Sequence, residues 1–170
     1  ITCPRNNLRL GSGICPVKRL AEEGINVALG TGSAATNNRL NLLSEIQAVV
    51  LIEKVLGRNT TPVDPWLALE MSTICGAKAL GQDGIIGSLE LGKAADLIAL
   101  DLSSIQLGPV NDIPSAIAYG TNGTEITWCW VGGQSLVRER TLQTLDEIEL
   151  RSKAKNWNTQ LTSFHQTLES

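Results

Sequence analysis

A glycine-rich segment at residues 30–35 has the spelling of a phosphate-binding loop. It reads G-x-G-x-x-A, follows an apolar run and precedes a helical pattern. Small residues at these positions let the backbone approach a pyrophosphate at a helix N-terminus. The acid expected about 20 residues later, at the end of a second strand, is absent, because Glu53 falls inside the helical pattern. The glycine motif alone therefore does not predict a dinucleotide site.

Other side chains with useful chemistry are present but scattered. Four cysteines are widely spaced and include no Cys-x-x-Cys pair: Cys3, Cys15, Cys75 and Cys129. This spacing favours free, buried thiols in an intracellular protein over disulfides or a zinc site. The single histidine, His165, stands far along the last helical pattern without a cluster of metal-ligating residues, and Glu22 and Glu23 lie at a helix end. These residues predict neither a catalytic nor a metal cluster.

Length and composition predict one globular domain. The chain has 170 residues, of which 42% are hydrophobic and 18% charged, and its net charge is −3. A disordered chain would have fewer apolar residues and more charge. The 14 Lys and Arg residues are scattered among 17 acids and form no basic stripe for nucleic acid. Apolar runs such as 48–52 are shorter than the ~20 residues that span a bilayer. We expect neither nucleic acid nor a membrane as a partner.

The chain starts with Ile1, and its sole methionine is Met71. Residues 1–7 have neither the basic start nor the long apolar core of a signal peptide. We therefore expect a cytoplasmic protein, of which this chain is a part.

Strand and helix patterns alternate in the first half of the chain. A short helix bounded by Pro16 and Gly24 precedes the apolar run 25–30, which predicts a strand. Asp64 predicts the N-cap of a later helix that runs to Gly81. Between them lies a long helix whose apolar residues cover more than half of its circumference, which predicts that it is mostly buried: Leu42, Leu43, Ile46, Val49, Val50 and Ile52. This order favours a parallel sheet or barrel.

The second half changes to period two. Residues 86–91, 95–101 and 126–131 predict strands. Gly132-Gly133 predicts a two-residue hairpin turn, because glycine tolerates the positive φ that such a turn needs. A helix from about Asp146 closes the chain, and its apolar residues line one face, which we interpret as a docking face: Leu150, Ala154, Trp157, Leu161, Phe164 and Leu168.

Four ordered motifs resemble those of the amidohydrolases. Residues 3–13, CPRNNLRLGSG, are similar to the family's seventh barrel strand and loop. Residues 30–38, GTGSAATNN, are similar to its eighth, where the family usually has G-T-D-[GS]-A-[AS]-[ST]-N-N. Residues 71–81, MSTICGAKALG, resemble A-T-x-N-G-A-K-A-L-G with Cys75 in place of asparagine, and 87–98, GSLELGKAADLI, resemble the entry to the small C-terminal β domain. The most similar branch comprises the 5-methylthioadenosine/S-adenosylhomocysteine deaminases and their triazine chlorohydrolase relatives.

The resemblance implies a metal-dependent hydrolytic deaminase. In such enzymes zinc or iron sits at the C-terminal mouth of a (β/α)₈ barrel, held by histidines and by an aspartate on the eighth strand. The metal lowers the pKa of a bound water, which the aspartate deprotonates for attack on the amino-bearing ring carbon. For this chain the resemblance implies an α/β fold in three parts. These are the last two strands and helices of the barrel at 1–82, part of a small β domain at 83–145, and a C-terminal amphipathic helix at 146–170.

The chain departs from the family at both positions where the resemblance places chemistry. Thr2 stands where the seventh strand has a histidine, and Gly32 where the eighth has the aspartate. Glycine offers neither a ligand oxygen nor a proton acceptor. We therefore predict no intact catalytic residue, no metal site and no retained cofactor in this chain. At the same mouth, Asn37 and Asn38 are predicted to cap the following helix.

Two functions stay open. The first is a portion of a deaminase that hydrolyses a C–N bond, not a peptide bond, of an adenine-type nucleoside such as 5-methylthioadenosine or S-adenosylhomocysteine. In that case the purine is a substrate only of a complete protein, and the isolated chain is inactive. The second is a non-catalytic remnant that serves as a scaffold or oligomerisation piece. For either function we expect an N-terminal half or a second copy as partner, because parallel strands need both faces and edges covered.

Overall fold

The computed structural model describes residues 1–57 and 63–169. Within these ranges the helices are α1 (Pro4–Leu10), α2 (Val17–Glu22), α3 (Leu42–Leu56), α4 (Pro65–Ser72), α5 (Ile74–Ala79), α6 (Ile113–Ser115), which continues as a π-helical turn (Ala116–Gly120), and α7 (Glu147–Glu169). The strands are β1 (Leu97–Leu100), β2 (Ile126–Val131), β3 (Gln134–Arg138) and β4 (Thr141–Leu142).

The four strands form one antiparallel sheet in chain order. The hairpin turn between β2 and β3 is Gly132-Gly133, with φ values of 56° and 79°, so this prediction is confirmed. The Asp96 side chain holds the turn against the start of β1, because the Gly132 N–H donates to its Oδ1 at 2.6 Å. The sheet is therefore built from local turns and neighbouring strands.

The strand predicted at 86–91 is wrong. Gly87 and Gly92 have φ values of 93° and 92°, which an extended strand does not accommodate. Leu91 is fully exposed and Leu89 is 82% exposed, so the alternation of apolar residues here does not mark a buried face. The segment is a series of turns that leads into β1.

The core packs α2, α3 and α4 together with residues 27–29 and the π-helical turn. Its buried members are Val17, Val27, Leu29, Leu43, Ile46, Val49, Val50, Val63, Ala68, Met71 and Ala118. Only one side of α3 is buried, because Leu42, Leu51 and Val55 are 39%, 48% and 74% exposed. The prediction that this helix is mostly buried is therefore wrong for its outer face. The boundaries at 82 and 145 stay a prediction.

The helix predicted from Asp64 to Gly81 is divided. Its cap is confirmed, since the Leu67 N–H donates to Asp64 Oδ1 at 2.7 Å. At Thr73 the backbone leaves the helical region, with φ −127° and ψ −97°, and the hydroxyl donates to the Leu69 carbonyl at 2.8 Å. This side-chain bond competes with the backbone ladder, and α4 and α5 form in place of one helix.

The final helix, α7, begins one residue after its predicted start. Asp146 accepts hydrogen bonds from the Ile148 and Glu149 N–H groups at 2.8 and 3.1 Å. On the predicted docking face, Trp157 is 65% and Leu161 is 53% exposed; the side chain of His165 lies outside the described residues. Within the described chain, no helix combines the length and hydropathy needed to cross a membrane.

Candidate functional site

The structure brings the segments that carry Thr2 and Gly32 side by side. Thr2 and Leu29 form a parallel bridge. The Thr2 N–H donates to the Ala28 carbonyl at 2.9 Å, and the Gly30 N–H donates to the Thr2 carbonyl at 2.9 Å. Within the described residues, the strand predicted at 25–30 is therefore reduced to this one bridge. The residues on either side of Thr2 and Leu29 form no further strand pairing there. Both segments run in one direction, and from the same edge the first continues into α1 and the second into the polar loop that precedes α3.

Gly32 has a backbone conformation and a contact that both favour glycine. Its φ is +70°, and a Cβ at this position would lie 3.1 Å from Asn6 Cγ and 3.2 Å from Asn6 Cβ. L-residues rarely adopt positive φ, although aspartate tolerates it better than most. The side chain of Asn6, on α1, thus crowds the space into which a Gly32 side chain would project.

Asn6 also carries an orphaned polar atom. Its Oδ1 is buried and has no hydrogen-bond partner within the described part of the chain. A buried acceptor without a partner costs stability, about 1–3 kcal/mol. Gly32 has no side chain that could donate to this oxygen, so Asn6 Oδ1 stays without a hydrogen bond.

The residues at this edge do not fit a catalytic zinc. Zinc sites in proteins are built from cysteine thiolates, histidine nitrogens and carboxylates. Among the residues that the structure describes, no three Cys, His, Asp or Glu side chains converge on one point. Near Gly32 the available donor is the neutral Asn6 amide, and Cys3 Sγ lies 3.2 Å from where a Gly30 Cβ would stand.

A buried carboxylate on α3, Glu45, organises the surrounding loops. Its side chain is fully buried. It accepts a hydrogen bond from the Arg5 N–H at 2.9 Å and from Asn37 Nδ2 at 2.7 Å. The Arg5 guanidinium lies 4.0 Å from Glu45 Oε1. One carboxylate thereby joins the start of α1, the loop after Gly32 and α3, although the sequence interpretation gave Glu45 no role.

The prediction that Asn37 and Asn38 cap the next helix is wrong. The cap of α3 is Asn41, whose Oδ1 accepts from the Leu43 N–H at 3.0 Å. Asn37 is buried and donates to the Thr31 carbonyl at 2.8 Å as well as to Glu45. Asn38 Oδ1 accepts from the Arg9 guanidinium. These asparagines therefore fix the loop and leave the capping of α3 to a later residue.

Glu53, eight residues along α3 from Glu45, holds α2 in the same way. It is 5% exposed, and its Oε1 accepts a hydrogen bond at 3.2 Å from the N–H of Val17, which is the first residue of α2. Carboxylates near helix N-termini are stabilised by the free backbone N–H groups there. Glu53 is thus a structural residue within α3 and not the strand-end acid of a dinucleotide site. The loop also lacks the required helix, since α3 begins only at Leu42.

The shifted pKa values lie elsewhere in the chain. Burial raises the pKa of the Cys75 thiol, and the neighbouring Glu70 carboxylate raises it further. Hydrogen bonds from Ser103, and then from Arg140, lower the pKa of Asp101 to about 2. Cys75 belongs to α5, and Asp101 follows β1. Neither shift marks the segments around Thr2 and Gly32 as a site with a tuned acid or base.

The cysteines match their predicted state in one respect. All four are free: Cys3, Cys15, Cys75 and Cys129. They are half-buried, so the prediction of buried thiols is wrong, because the segments that carry them lie at the margins of the core. None belongs to a metal cluster within the described residues.

Comparison with known proteins identifies the family. The model of the amidohydrolase family matches residues 1–136, which is most of the chain. The chain belongs to the amidohydrolase family. The match spans the bridge at Thr2, the Gly32 loop, the core helices and most of the sheet.

The relatives of this amidohydrolase chain include named deaminases. A 5-methylthioadenosine/S-adenosylhomocysteine deaminase from Teredinibacter turnerae is 43% identical over 161 residues, which is 95% of this chain and 36% of the relative. A 5'-deoxyadenosine deaminase from Methanosarcina acetivorans is 38% identical over 89% of this chain and 35% of its own length. The chain thus spans about a third of the length of these relatives.

Solved structures confirm that this amidohydrolase chain has the fold of the corresponding part of family members. An adenosine deaminase from Xanthomonas campestris with bound zinc matches with a TM-score of 0.91 and 34% identity, over 95% of this chain and 37% of that protein. The atrazine chlorohydrolase TrzN from Arthrobacter aurescens, complexed with zinc, matches with a TM-score of 0.82 and 26% identity, over 89% and 34%. The recognition of the family from its motifs is confirmed.

Proposed function

We propose that this chain is the C-terminal part of an amidohydrolase-type deaminase acting on an adenine-type nucleoside, and that it has no turnover by itself. The last two strands and helices of a (β/α)₈ barrel are its contribution to such an enzyme. The names of the relatives from Teredinibacter turnerae and Methanosarcina acetivorans support the reaction class and the substrate class. The geometry around Gly32 supports the absence of turnover.

The observation that carries the proposed lack of turnover is the contact between Gly32 and Asn6. The resemblance places the aspartate of the eighth strand at Gly32, where a side chain would be in tight contact with Asn6. Without a carboxylate there, the chain has no group at this position to deprotonate a water. The buried carboxylates Glu45 and Glu53 are committed to backbone N–H groups. The chain therefore supplies framework, and the chemistry requires residues outside it.

The proposal predicts that the purified 170-residue chain releases no ammonia above background from 5-methylthioadenosine or S-adenosylhomocysteine, with or without added zinc. The deaminase from Teredinibacter turnerae, assayed beside it, provides the positive control. Ammonia release that rises with the concentration of the chain and stops with a chelator would contradict the proposed lack of turnover.

A second function, an oligomerisation piece, is favoured by the outer face of α7. Leu150, Trp157 and Leu161, which lie on one face of this helix, are 43%, 65% and 53% exposed. Contiguous exposed apolar surface on a soluble chain commonly marks an interaction site. The coding sequence upstream of Ile1 separates the two functions, since in-frame histidine motifs favour the deaminase and unrelated sequence favours the remnant.

If α7 mediates self-association, Trp157→Glu will shift the chain from dimer to monomer at about micromolar concentration, because a charge replaces the largest apolar side chain of the face. Analytical ultracentrifugation measures the shift. The matched control is Asn158→Glu, which adds the same charge at the next residue, also exposed. If both variants self-associate as strongly as the unmodified chain does, this face is not the interface.

A further inference from the structure

A groove with a volume of about 530 Å³ lies between α1, the loop at 36–39 and α3. Three arginines line it, Arg5, Arg9 and Arg39, and no acidic residue does. Its size falls in the range of small-molecule pockets, roughly 300–1,000 Å³. Neither Thr2 nor Gly32 lines this arginine groove.

The backbone around two of the arginines is held by the same buried carboxylate. Glu45 accepts from the Arg5 N–H and from Asn37 Nδ2, and Asn37 Oδ1 in turn accepts from the Arg39 N–H at 3.3 Å. Arg9 lies four residues after Arg5 on α1, and its guanidinium donates to Asn38 Oδ1 in the same loop. The backbone that carries the arginines is thus held on both walls by a common network, which lowers the backbone entropy lost on binding.

The positive charge in the arginine groove is only partly compensated. The Arg5 guanidinium lies 4.0 Å from the Glu45 carboxylate, which offsets one charge. Arg9 has the neutral amide of Asn38 as its partner. Within the described part of the chain, the Arg39 guanidinium has no hydrogen bond or ion pair. Two of the three cations therefore lack a neutralising acid.

We propose that the arginine groove binds a small organic oxyanion, in which a phosphate or carboxylate group is joined to an apolar body. Guanidinium groups present paired N–H donors that match these oxyanions. The α3 wall of the groove includes Ala48, Leu51 and Ile52, and α1 adds Leu8. An apolar body lies against this wall while Arg9 and Arg39 hold the oxyanion. The inference does not depend on the proposed deaminase function.

Calorimetric titration of the 170-residue chain with phenyl phosphate tests the proposal. We expect saturable binding that weakens as salt rises, and weaker binding of inorganic phosphate, which lacks the apolar body. Benzoate tests whether a carboxylate replaces the phosphate, and neutral phenol should not bind. Arg39→Gln should weaken phenyl phosphate binding about tenfold or more, and Arg39→Lys less, because lysine keeps the charge but loses the paired donors.

Arg19→Gln is the matched control, because it removes the same charge from an exposed arginine of α2 that pairs with Glu23. It should leave the affinity unchanged, and circular dichroism should show that all variants are folded. Equal weakening by Arg19→Gln and Arg39→Gln would overturn the proposal, since the attraction would then be non-specific. Equal affinities for phenyl phosphate and inorganic phosphate, or no saturable binding, would also overturn it.

Discussion

Replacing Glu45 by alanine is expected to lower the free energy of unfolding by about 3–5 kcal/mol. The substitution removes the acceptor of the Arg5 N–H and of Asn37 Nδ2 and leaves a cavity under α3. The Arg5 N–H then loses its acceptor and Asn37 Nδ2 keeps only the Thr31 carbonyl, or the start of α1 and the Gly32 loop come apart. Urea unfolding followed by circular dichroism measures the loss.

Two further variants make the Glu45 result specific. Glu45→Gln keeps the side-chain volume and one acceptor oxygen, but its amide N–H₂ group faces one of the two donors. We therefore expect about half of the loss in unfolding free energy that Glu45→Ala causes. Glu22→Ala removes a carboxylate that is 65% exposed and paired with Lys18 at 3.7 Å, and should cost less than ~0.5 kcal/mol. Similar losses for Glu22→Ala and Glu45→Ala would show that the network around Glu45 does not stabilise the fold.

Gly32→Asp, which introduces the residue that the resemblance implies at this position, is expected to destabilise the chain by about 2–4 kcal/mol and to create no zinc site. The positive φ of 70° and the contact with Asn6, 3.1 Å from the new Cβ, each contribute about 1–2 kcal/mol. Thermal unfolding measures the first effect, and metal analysis after dialysis against zinc measures the second. A lone carboxylate at this edge lacks the further ligands that zinc requires.

Gly11 provides the matched control for Gly32. Its φ is +64°, and nothing lies within 4 Å of its Cβ position. Gly11→Asp should therefore show the cost of the backbone conformation alone, about 1 kcal/mol. When Asn6→Ala is added to the Gly32→Asp chain, the part of the lost stability that arises from the contact with Asn6 should be recovered. Equal losses at Gly11 and Gly32 would show that Asn6 does not limit the residue at position 32.

Several of the features predicted correctly are specified by neighbouring residues. The Asp64 cap, the Gly132-Gly133 turn and the final helix each rest on interactions that span two to four residues. The strand predicted at 86–91 failed because an alternating pattern does not by itself supply a partner strand, and positive φ at Gly87 and Gly92 bends the backbone away from extension.

The candidate site was predicted less completely. Resemblance singled out Thr2 and Gly32, and the structure places their segments in one parallel bridge. The role of Asn6 beside Gly32 was not predictable from pattern, because 26 residues separate them and no local rule joins α1 to this loop. The buried Glu45 was missed for a similar reason, since its backbone donor at Arg5 lies 40 residues away.

The sequence by itself determined the family of this chain, most of its helices and its hairpin, because ordered motifs, caps and turns are encoded by residues close together in the chain. Only the tertiary structure decided which space Gly32 leaves to Asn6, which N–H groups Glu45 and Glu53 hold, and which arginines share a groove. Those relations depend on packing between distant segments. A buried carboxylate needs hydrogen-bond donors, and in this fold the donors come from segments far away in the sequence.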